Sequence, residues 1–193
     1  MNDTLVGTIA GTEDHSWRVL YFWSTSCPCV RRCEQDTLFP LSRKYKNKGV
    51  RFYAVASNAA NVRYVQPTPS ASSGNPSAET AVLDLPGPME KSEKPPFPIL
   101  VDAHHKIADA LHATNTPETF LIDPRGRVVF RGDPDDSAEQ LVKTGRERIT
   151  RRYLASALER ALAGKKVLVP VSPTSGCHID RSDVPDKPEK AER

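Results

Sequence analysis

The chain has 193 residues, of which 38% are apolar and 26% charged, and its formal net charge is +3. This length suits one domain with a sizeable core. Four cysteines are too few for a small disulfide-stapled scaffold. The low net charge gives little reason to expect a nucleic-acid partner. No stretch approaches the roughly 18 apolar residues of a membrane span.

The first residues carry early polar side chains and no cationic region, which is a poor match to a secretory signal peptide. We therefore expect a cytoplasmic protein. A processed or truncated form of an exported, periplasmic protein would have the same appearance.

An apolar run at 18–24 predicts a buried strand that leads directly into a cysteine-rich turn. Cys27 is followed by Pro28, and proline is favoured at the first helical position. This predicts Cys27 as the N-cap, with its sulfur close to free backbone N–H groups. A helix N-terminus stabilises an anion, so we expect Cys27 to favour the thiolate, as would the nearby Arg31 and Arg32. This arrangement is typical of a thiol nucleophile.

The next elements in the chain predict a parallel β-α-β unit. A weak strand is expected at 5–9, before the main strand. A helix is predicted from Pro28 to about Lys46, with Pro40 kinking it because proline removes a helical hydrogen bond. A second interior strand is predicted at 50–57. Short connections between these elements favour a right-handed parallel pair of strands.

A proline-rich surface excursion is predicted over about 65–97. Eight of the chain's 17 prolines lie between positions 67 and 98, among serines and a few charges. We expect at most one short helix here, around 77–83. A strand at 98–102 and a helix at 106–113 follow.

The last third of the chain predicts a hairpin, a helix and a loose tail. The strands at 119–122 and 128–131 flank a tight Asp-Pro-Arg-Gly turn. The best helical stripe covers 150–163. The charged tail at 180–193 is expected to be disordered, which leaves residues 1–179 as a single domain. A basic run is expected to form a solvated helix face: Lys143, Arg146, Arg148, Arg151 and Arg152.

Three longer segments together resemble the thioredoxin-like superfamily: F-W-S-T-S-C-P-C-V, G-V-R-F-Y-A-V-A-S-N and T-P-E-T-F-L-I-D-P-R-G-R-V-V-F-R-G. F-P-I-L-V-D, R-G-D-P-D-D and a terminal G-C-H-I make the chain similar to the AhpC/TSA (redoxin) branch, the peroxiredoxin-like proteins. The resemblance covers roughly residues 18–180. It implies an α/β thioredoxin-like fold, a central mixed sheet flanked by helices, and a thiol-disulfide oxidoreductase or thiol peroxidase.

The resemblance also implies roles for individual residues. Cys27 matches the reactive cysteine, and Pro117 matches the superfamily's cis-proline. Thr116 then matches the residue whose backbone pairs with a substrate chain, and Ser24 fits the Thr or Ser that precedes the cysteine by three positions. The implied partners are a protein disulfide or a peroxide, and a thiol reductant.

Two positions depart from the family pattern. Val30 stands where C-x-x-C would have its second cysteine, and Leu20 stands where peroxiredoxins have a proline. The second departure favours disulfide exchange or redox sensing over full peroxidase chemistry.

The cysteine that resolves an intermediate on Cys27 stays open between two candidates. Cys29 is two residues away and would close a small, strained ring. Cys177 is distant in sequence, and its role is implied by the resemblance, since a Gly-Cys recurs at this position. Cys33 ranks below both. It lies one helical turn from Cys29, where disulfide geometry is poor, and a small buried packing residue is an equally good interpretation.

A metal-binding or non-catalytic interaction module on the same fold is the alternative function. Zinc or Cu(I) would suit a thiolate-rich site. The candidate ligands are Cys27, Cys29, Cys33, Cys177 and His178. The primary hypothesis needs no cofactor and no metal.

Overall fold

The computed structural model describes residues 16–65, 80–83, 95–102, 104–146 and 148–182. The described strands are β1 (Trp17–Trp23), β2 (Val50–Ala56), β3 (Val62–Val65), β4 (Thr80–Leu83), β5 (Ile99–Val101), β6 (Asn115–Thr116), β7 (Thr119–Ile122), β8 (Val128–Gly132) and β9 (Cys177–His178). The described α-helices are α1 (Pro28–Cys33), α2 (Phe39–Tyr45), α3 (Lys106–Leu111), α4 (Ser137–Thr144) and α5 (Tyr153–Leu162).

Five of these strands form one mixed sheet in the order β5-β2-β1-β7-β8. β1 pairs with β2, and β2 with β5, in parallel, whereas β7 runs antiparallel to both β1 and β8. The predicted parallel pairing of the first two strands and the predicted hairpin are both confirmed. The result is the α/β architecture that the sequence predicts, with β1 at its centre.

Alternate side chains of β1 pack in two hydrophobic cores on opposite faces of the sheet, because successive residues of a strand point to opposite sides. Tyr21 packs on one face with Leu154 and Leu158 of α5. Phe22 packs on the other face with Phe120, in an edge-to-face contact, and with residues of α3. Burial on both faces explains why β1 reads as a continuous apolar run.

The helix predicted from Pro28 to about Lys46 is divided into α1 and α2 by a π-helical turn at Glu34–Leu38. The wider turn ends just before Pro40, whose nitrogen has no hydrogen to donate to the preceding turn. The helix is therefore disturbed near Pro40, as predicted, but by a widened turn. The prediction of one continuous helix is wrong.

At most one short helix is expected around 77–83, and the described part of this segment is a strand instead. Residues 80–83 form β4, which pairs antiparallel with β3 over four residue pairs. Backbone hydrogen bonds to another strand outweigh a weak local helical preference here, and such a partner is not visible in the local sequence.

The basic run does not form a helix face. Lys143 lies in α4, but the four arginines lie in the exposed connection between α4 and α5. Gly145, with a φ of +65°, closes α4 in the left-handed conformation typical of helix ends. The helix predicted at 150–163 is confirmed with slightly tighter bounds as α5.

Three predictions fall wholly or partly outside the described residues. They are the strand at 5–9, most of the proline-rich excursion and the tail from 183 onward. Within the described part of the tail, Asp180 is tied to the body of the protein, because its backbone N–H donates to Asn58 Oδ1 at 2.8 Å.

Candidate active site

Cys27 lies at the start of α1, directly after the turn that leaves the central strand. It is the N-cap residue, with φ −92° and ψ 112°, and Pro28 is the first helical residue, as predicted. The Val30 N–H donates to the Cys27 carbonyl oxygen at 3.1 Å, which closes the first turn. The Cys27 side chain is only 2% exposed. The fold therefore places this sulfur at a helix N-terminus and shields it from solvent.

The Thr116–Pro117 peptide bond lies against that sulfur and is cis, as the resemblance implies. Cys27 Sγ donates to the Thr116 carbonyl oxygen at 3.2 Å. A carbonyl oxygen accepts a hydrogen bond only from the protonated thiol, so this contact positions the sulfur rather than ionising it.

Cys177 reaches the same place from the other end of the chain. β9 pairs antiparallel with β6, and Thr116 lies opposite Cys177 in this short ladder. The Thr116 hydroxyl donates to the Cys177 carbonyl oxygen at 3.4 Å. One residue, Thr116, thus contacts both Cys27 and Cys177.

Gly176 is needed for this close approach. Its φ is +98°, and a Cβ at this position would lie 2.1 Å from the Thr116 carbonyl oxygen. Only glycine fits such a conformation against another backbone without displacement. The Gly-Cys pair noted in the sequence therefore has a steric reason.

The environment of Cys27 favours ionisation. Burial raises the pKa of its thiol, but hydrogen bonds with the Thr116 side chain, the Cys177 thiol and the Cys177 N–H lower it, and the net direction is downward. The Val30 N–H adds the smallest of these effects, in keeping with the absence of a side-chain capping hydrogen bond at this helix start. The helix start matters less here than the sequence predicts, and Cys177 matters more.

Cys177 shows the complementary behaviour. Its hydrogen bond to Cys27 raises the pKa of the Cys177 thiol to about 11, with smaller contributions from burial and from the charges of Cys27 and Cys29. The pKa of Cys27 is therefore shifted downward and that of Cys177 upward, which makes Cys27 the more readily ionised of the two thiols. A lowered pKa favours the thiolate, which is the nucleophilic form of a cysteine.

The part of the chain from 8 to 131 matches the model of the AhpC/TSA family. The chain belongs to this family. Its fold is thioredoxin-like, and a redox function of the thioredoxin-like kind follows from membership at this coarse level. No curated protein sequence matches the chain.

Two solved structures share this fold over most of their length. One is a hypothetical protein, SMc02350, from Sinorhizobium meliloti 1021, with 23% identity and a TM-score of 0.61 over 88% of this chain and 81% of that one. The other is an uncharacterized conserved protein from Geobacillus kaustophilus, with 27% identity and a TM-score of 0.60 over 86% and 77%. A thiol-disulfide oxidoreductase from Bacteroides fragilis NCTC 9343 is more distant, with 13% identity and a TM-score of 0.40 over 69% and 85%.

The other two cysteines of this AhpC/TSA-family chain differ from the Cys27–Cys177 pair. Cys29 is half-buried, and burial together with the charge of Cys27 raises the pKa of its thiol. Cys33 is buried, and burial raises the pKa of its thiol well above the ordinary range. All four thiols are free. Cys33 therefore has the environment of a packing residue.

Ser24 lies before the cysteine turn, as the resemblance implies, but its hydroxyl is engaged within the turn. It shares a hydrogen bond of 2.9 Å with the Ser26 hydroxyl and accepts one from the Ser26 N–H at 3.3 Å. These bonds shape the turn that delivers Cys27, and a direct substrate contact by Ser24 stays a prediction.

Asp133 is a buried residue of this site that the sequence analysis did not identify. Its carboxylate accepts hydrogen bonds from the Ser175 N–H, at 3.2 Å, and from the Ser175 hydroxyl. Burial raises the pKa of Asp133 to about 6, against the lowering effect of Ser175. The motif R-G-D-P-D-D, which contains Asp133, could have pointed to this residue. No pattern in the sequence around it indicates that Ser175 is its partner.

The proposed metal ligands do not form a metal site. Within residues 16–182, as far as they are described, no group of three or more His, Cys, Asp or Glu side chains is arranged to hold a metal ion. No described helix is both long enough and apolar enough to cross a membrane.

Proposed function

We propose that this chain is a thiol-dependent oxidoreductase in which Cys27 is the nucleophile and Cys177 is the resolving cysteine. The proposal rests mainly on one observation. The pKa of the Cys27 thiol is lowered while that of its neighbour Cys177 is raised to about 11, so Cys27 loses its proton more readily than Cys177 does. Ordinary cysteines titrate near 8.5, and the thiolate is the reactive form.

The substrates would be a peroxide or a disulfide. With a peroxide, the Cys27 thiolate attacks one oxygen, the O–O bond breaks, and the leaving alkoxide or hydroxide takes up a proton. Cys27 is oxidised to a sulfenic acid. With a disulfide, Cys27 attacks one sulfur and displaces the other as a thiolate, which leaves a mixed disulfide on Cys27.

Cys177 would complete either reaction. Its sulfur attacks the Cys27 sulfur as its proton is lost, and an S–S bond joins the two cysteines. The group that departs is water from the sulfenic acid, or the second substrate thiol from the mixed disulfide. Two equivalents of an external thiol reductant then return both cysteines to the thiol form and are themselves oxidised to a disulfide.

Cys177 is a better resolving candidate than Cys29. Its backbone pairs with Thr116, the residue whose carbonyl oxygen contacts the Cys27 sulfur. Cys29 is only two residues from Cys27, and a ring of that size is strained. Cys177 is also exposed, so a reductant can reach the disulfide from solvent.

The proposal is tested by brief oxidation with hydrogen peroxide, alkylation of the remaining thiols and peptide mapping. We expect a Cys27–Cys177 disulfide in the wild type and in Cys33→Ser. Cys27→Ser should form no fast disulfide, and Cys177→Ser should stop at a Cys27 sulfenic acid, trapped with dimedone. A Cys27–Cys29 disulfide in the wild type would assign resolution to Cys29. Four thiols that all remain reduced would overturn the proposal.

A further inference from the structure

We propose that residues 172–181, here named the C-terminal strap, exclude extended polypeptides from Cys27 by occupying the backbone edge on which such a chain would dock. The strap would admit small oxidants and block protein disulfides. This inference rests on the proposed function, because it concerns access to the same sulfur.

The occupied edge is β6 and the residue before it. Cys177 and His178 pair with Thr116 and Asn115, and the Ile179 N–H donates to the Thr114 carbonyl oxygen at 2.9 Å. An extended peptide gains affinity at a strand edge by forming these same main-chain hydrogen bonds. Because the strap already forms them, another chain would have to displace it.

The strap is held on both sides of Cys177. On the N-terminal side, the Ser172 hydroxyl donates to the Asp133 carbonyl oxygen at 2.8 Å, and Ser175 bonds to the Asp133 carboxylate. On the C-terminal side, Ile179 is 6% exposed and belongs to the core that contains Phe22. Each anchor adds to the cost of opening the edge.

The end of the strap has anchors of its own. Asp180 forms two hydrogen bonds through its own backbone. Its N–H donates to Asn58 Oδ1 at 2.8 Å, and its carbonyl oxygen accepts from the Ala59 N–H at 3.3 Å. Arg181 donates to the Ala113 carbonyl oxygen at 2.6 Å and pairs with Asp109. Contacts to the rest of the protein therefore hold the strap on both sides of the β6–β9 pairing.

The burial of Cys27 and the tight seat of the strap also favour selection by size. Cys27 is 2% exposed, and Gly176 lies so close to Thr116 that even a Cβ would collide. A small molecule needs access to one sulfur only, whereas an extended chain also needs the backbone groups of Thr114 and Thr116. The rate at which a polypeptide reacts with Cys27 should therefore be proportional to the fraction of molecules in which the strap is released.

The experiment compares two probes that differ only in size. Both are mixed disulfides of a cysteine with thionitrobenzoate, one on a single blocked cysteine and the other on an extended peptide. The reaction is followed in the Cys29→Ser, Cys177→Ser double variant, so that released thionitrobenzoate reports Cys27, and peptide mapping verifies the site. The measured quantity is the ratio of the peptide rate to the small-probe rate.

Gly176→Ala is the test variant, and Gly126→Ala is its matched control. Both glycines have positive φ, +98° and +82°, but a Cβ at Gly126 meets nothing within 4 Å. We expect a low ratio in the background variant, an increase of about tenfold or more with Gly176→Ala, and no change with Gly126→Ala. If Gly176→Ala does not fold, Arg181→Ala loosens the end of the strap from the surface, and a smaller increase of about two- to threefold is expected.

The possible failures are distinguishable. If Cys27 reacts readily with the small probe but the ratio is near one, or does not change when the strap is loosened, the strap is not a filter and the proposed function stands. If Cys27 of the wild type, where Cys177 still lowers its pKa, reacts with neither probe faster than an ordinary thiol, the proposed function fails, and the strap inference fails with it.

Discussion

Thr116 and Cys177 lie opposite each other in an antiparallel ladder although 61 positions separate them in the chain. The Thr116 carbonyl oxygen is also 3.2 Å from Cys27 Sγ. The site is thus assembled from three distant segments: a helix start, a cis-proline turn and the C-terminal strap. A disturbance in any of the three should be detectable at the Cys27 sulfur.

Replacing Cys177 by alanine is expected to raise the pKa of Cys27. Burial raises the pKa of Cys27, and the hydrogen bond from the Cys177 thiol is one of the contacts that lower it. Cys177→Ala removes that donor but keeps the backbone N–H and the strap. The pH dependence of Cys27 alkylation by iodoacetamide, followed by peptide mapping, should shift to higher pH. An unchanged profile would show that Cys177 does not stabilise the thiolate.

The local parts of the site could be predicted from the sequence because their determinants are adjacent. An apolar strand, a short turn, Cys27 and Pro28 follow one another, and each has a local preference that agrees with the next. The hairpin of β7 and β8 could be predicted for the same reason, since its turn residues lie between two apolar strands.

The parts that were missed depend on contacts between distant residues. Ser175 and Asp133 are 42 positions apart, and each alone is typical of a polar loop residue. Pairing with β3 stabilises β4 as a strand, and no pattern in the local sequence indicates this partner. The π-helical turn is an intermediate case: Pro40 indicated a disturbance, but its form depends on how the two halves of the helix pack.

Arg131→Met should destabilise the protein by about 3 kcal/mol, because it leaves a buried charge without its partner. Arg131 Nη2 lies 2.7 Å from Glu118 Oε1, and Glu118 is fully buried next to the cis-proline. The free energy of unfolding is measured with urea at neutral pH. The double variant with Glu118→Gln should recover part of the loss. A cost below about 1 kcal/mol for Arg131→Met would show that this pair is weakly coupled.

Cys33→Ala should leave the redox reaction intact and cost about 1 kcal/mol of stability, as expected for the loss of a small buried group. Cys33 is 8% exposed and packs in the core that contains Tyr21. Cys33→Ser should cost more, because it buries a hydroxyl. Urea unfolding measures the stability, and the time course of disulfide formation measures the reaction. A clear slowing of disulfide formation in Cys33→Ala would assign Cys33 a role in the chemistry.

Glu34 is expected to make the protein less stable as the pH rises towards neutral. Its carboxyl accepts a hydrogen bond from the Tyr21 hydroxyl at 2.5 Å. Burial raises the pKa of Glu34 from its ordinary 4.5 to about 7, against the lowering effect of hydrogen bonds from Tyr21 and Trp23. The folded protein therefore binds this proton more tightly than the unfolded chain does. The stabilisation is complete below about pH 4.5 and is lost as the pH rises through about 7.

Glu34→Gln keeps the shape and removes this titration. A pKa raised from 4.5 to about 7 corresponds to about 3 kcal/mol at 1.36 kcal/mol per unit. The stability of Glu34→Gln relative to the wild type should therefore rise by about 3 kcal/mol between about pH 4 and pH 8, as measured by urea unfolding. Comparing the two proteins cancels the similar titration of Asp133, whose pKa is about 6. Tyr21→Phe removes a contact that lowers the pKa of Glu34, so its pH dependence should extend to higher pH. Parallel pH curves for wild type and Glu34→Gln would show that Glu34 stays ionised in the folded protein.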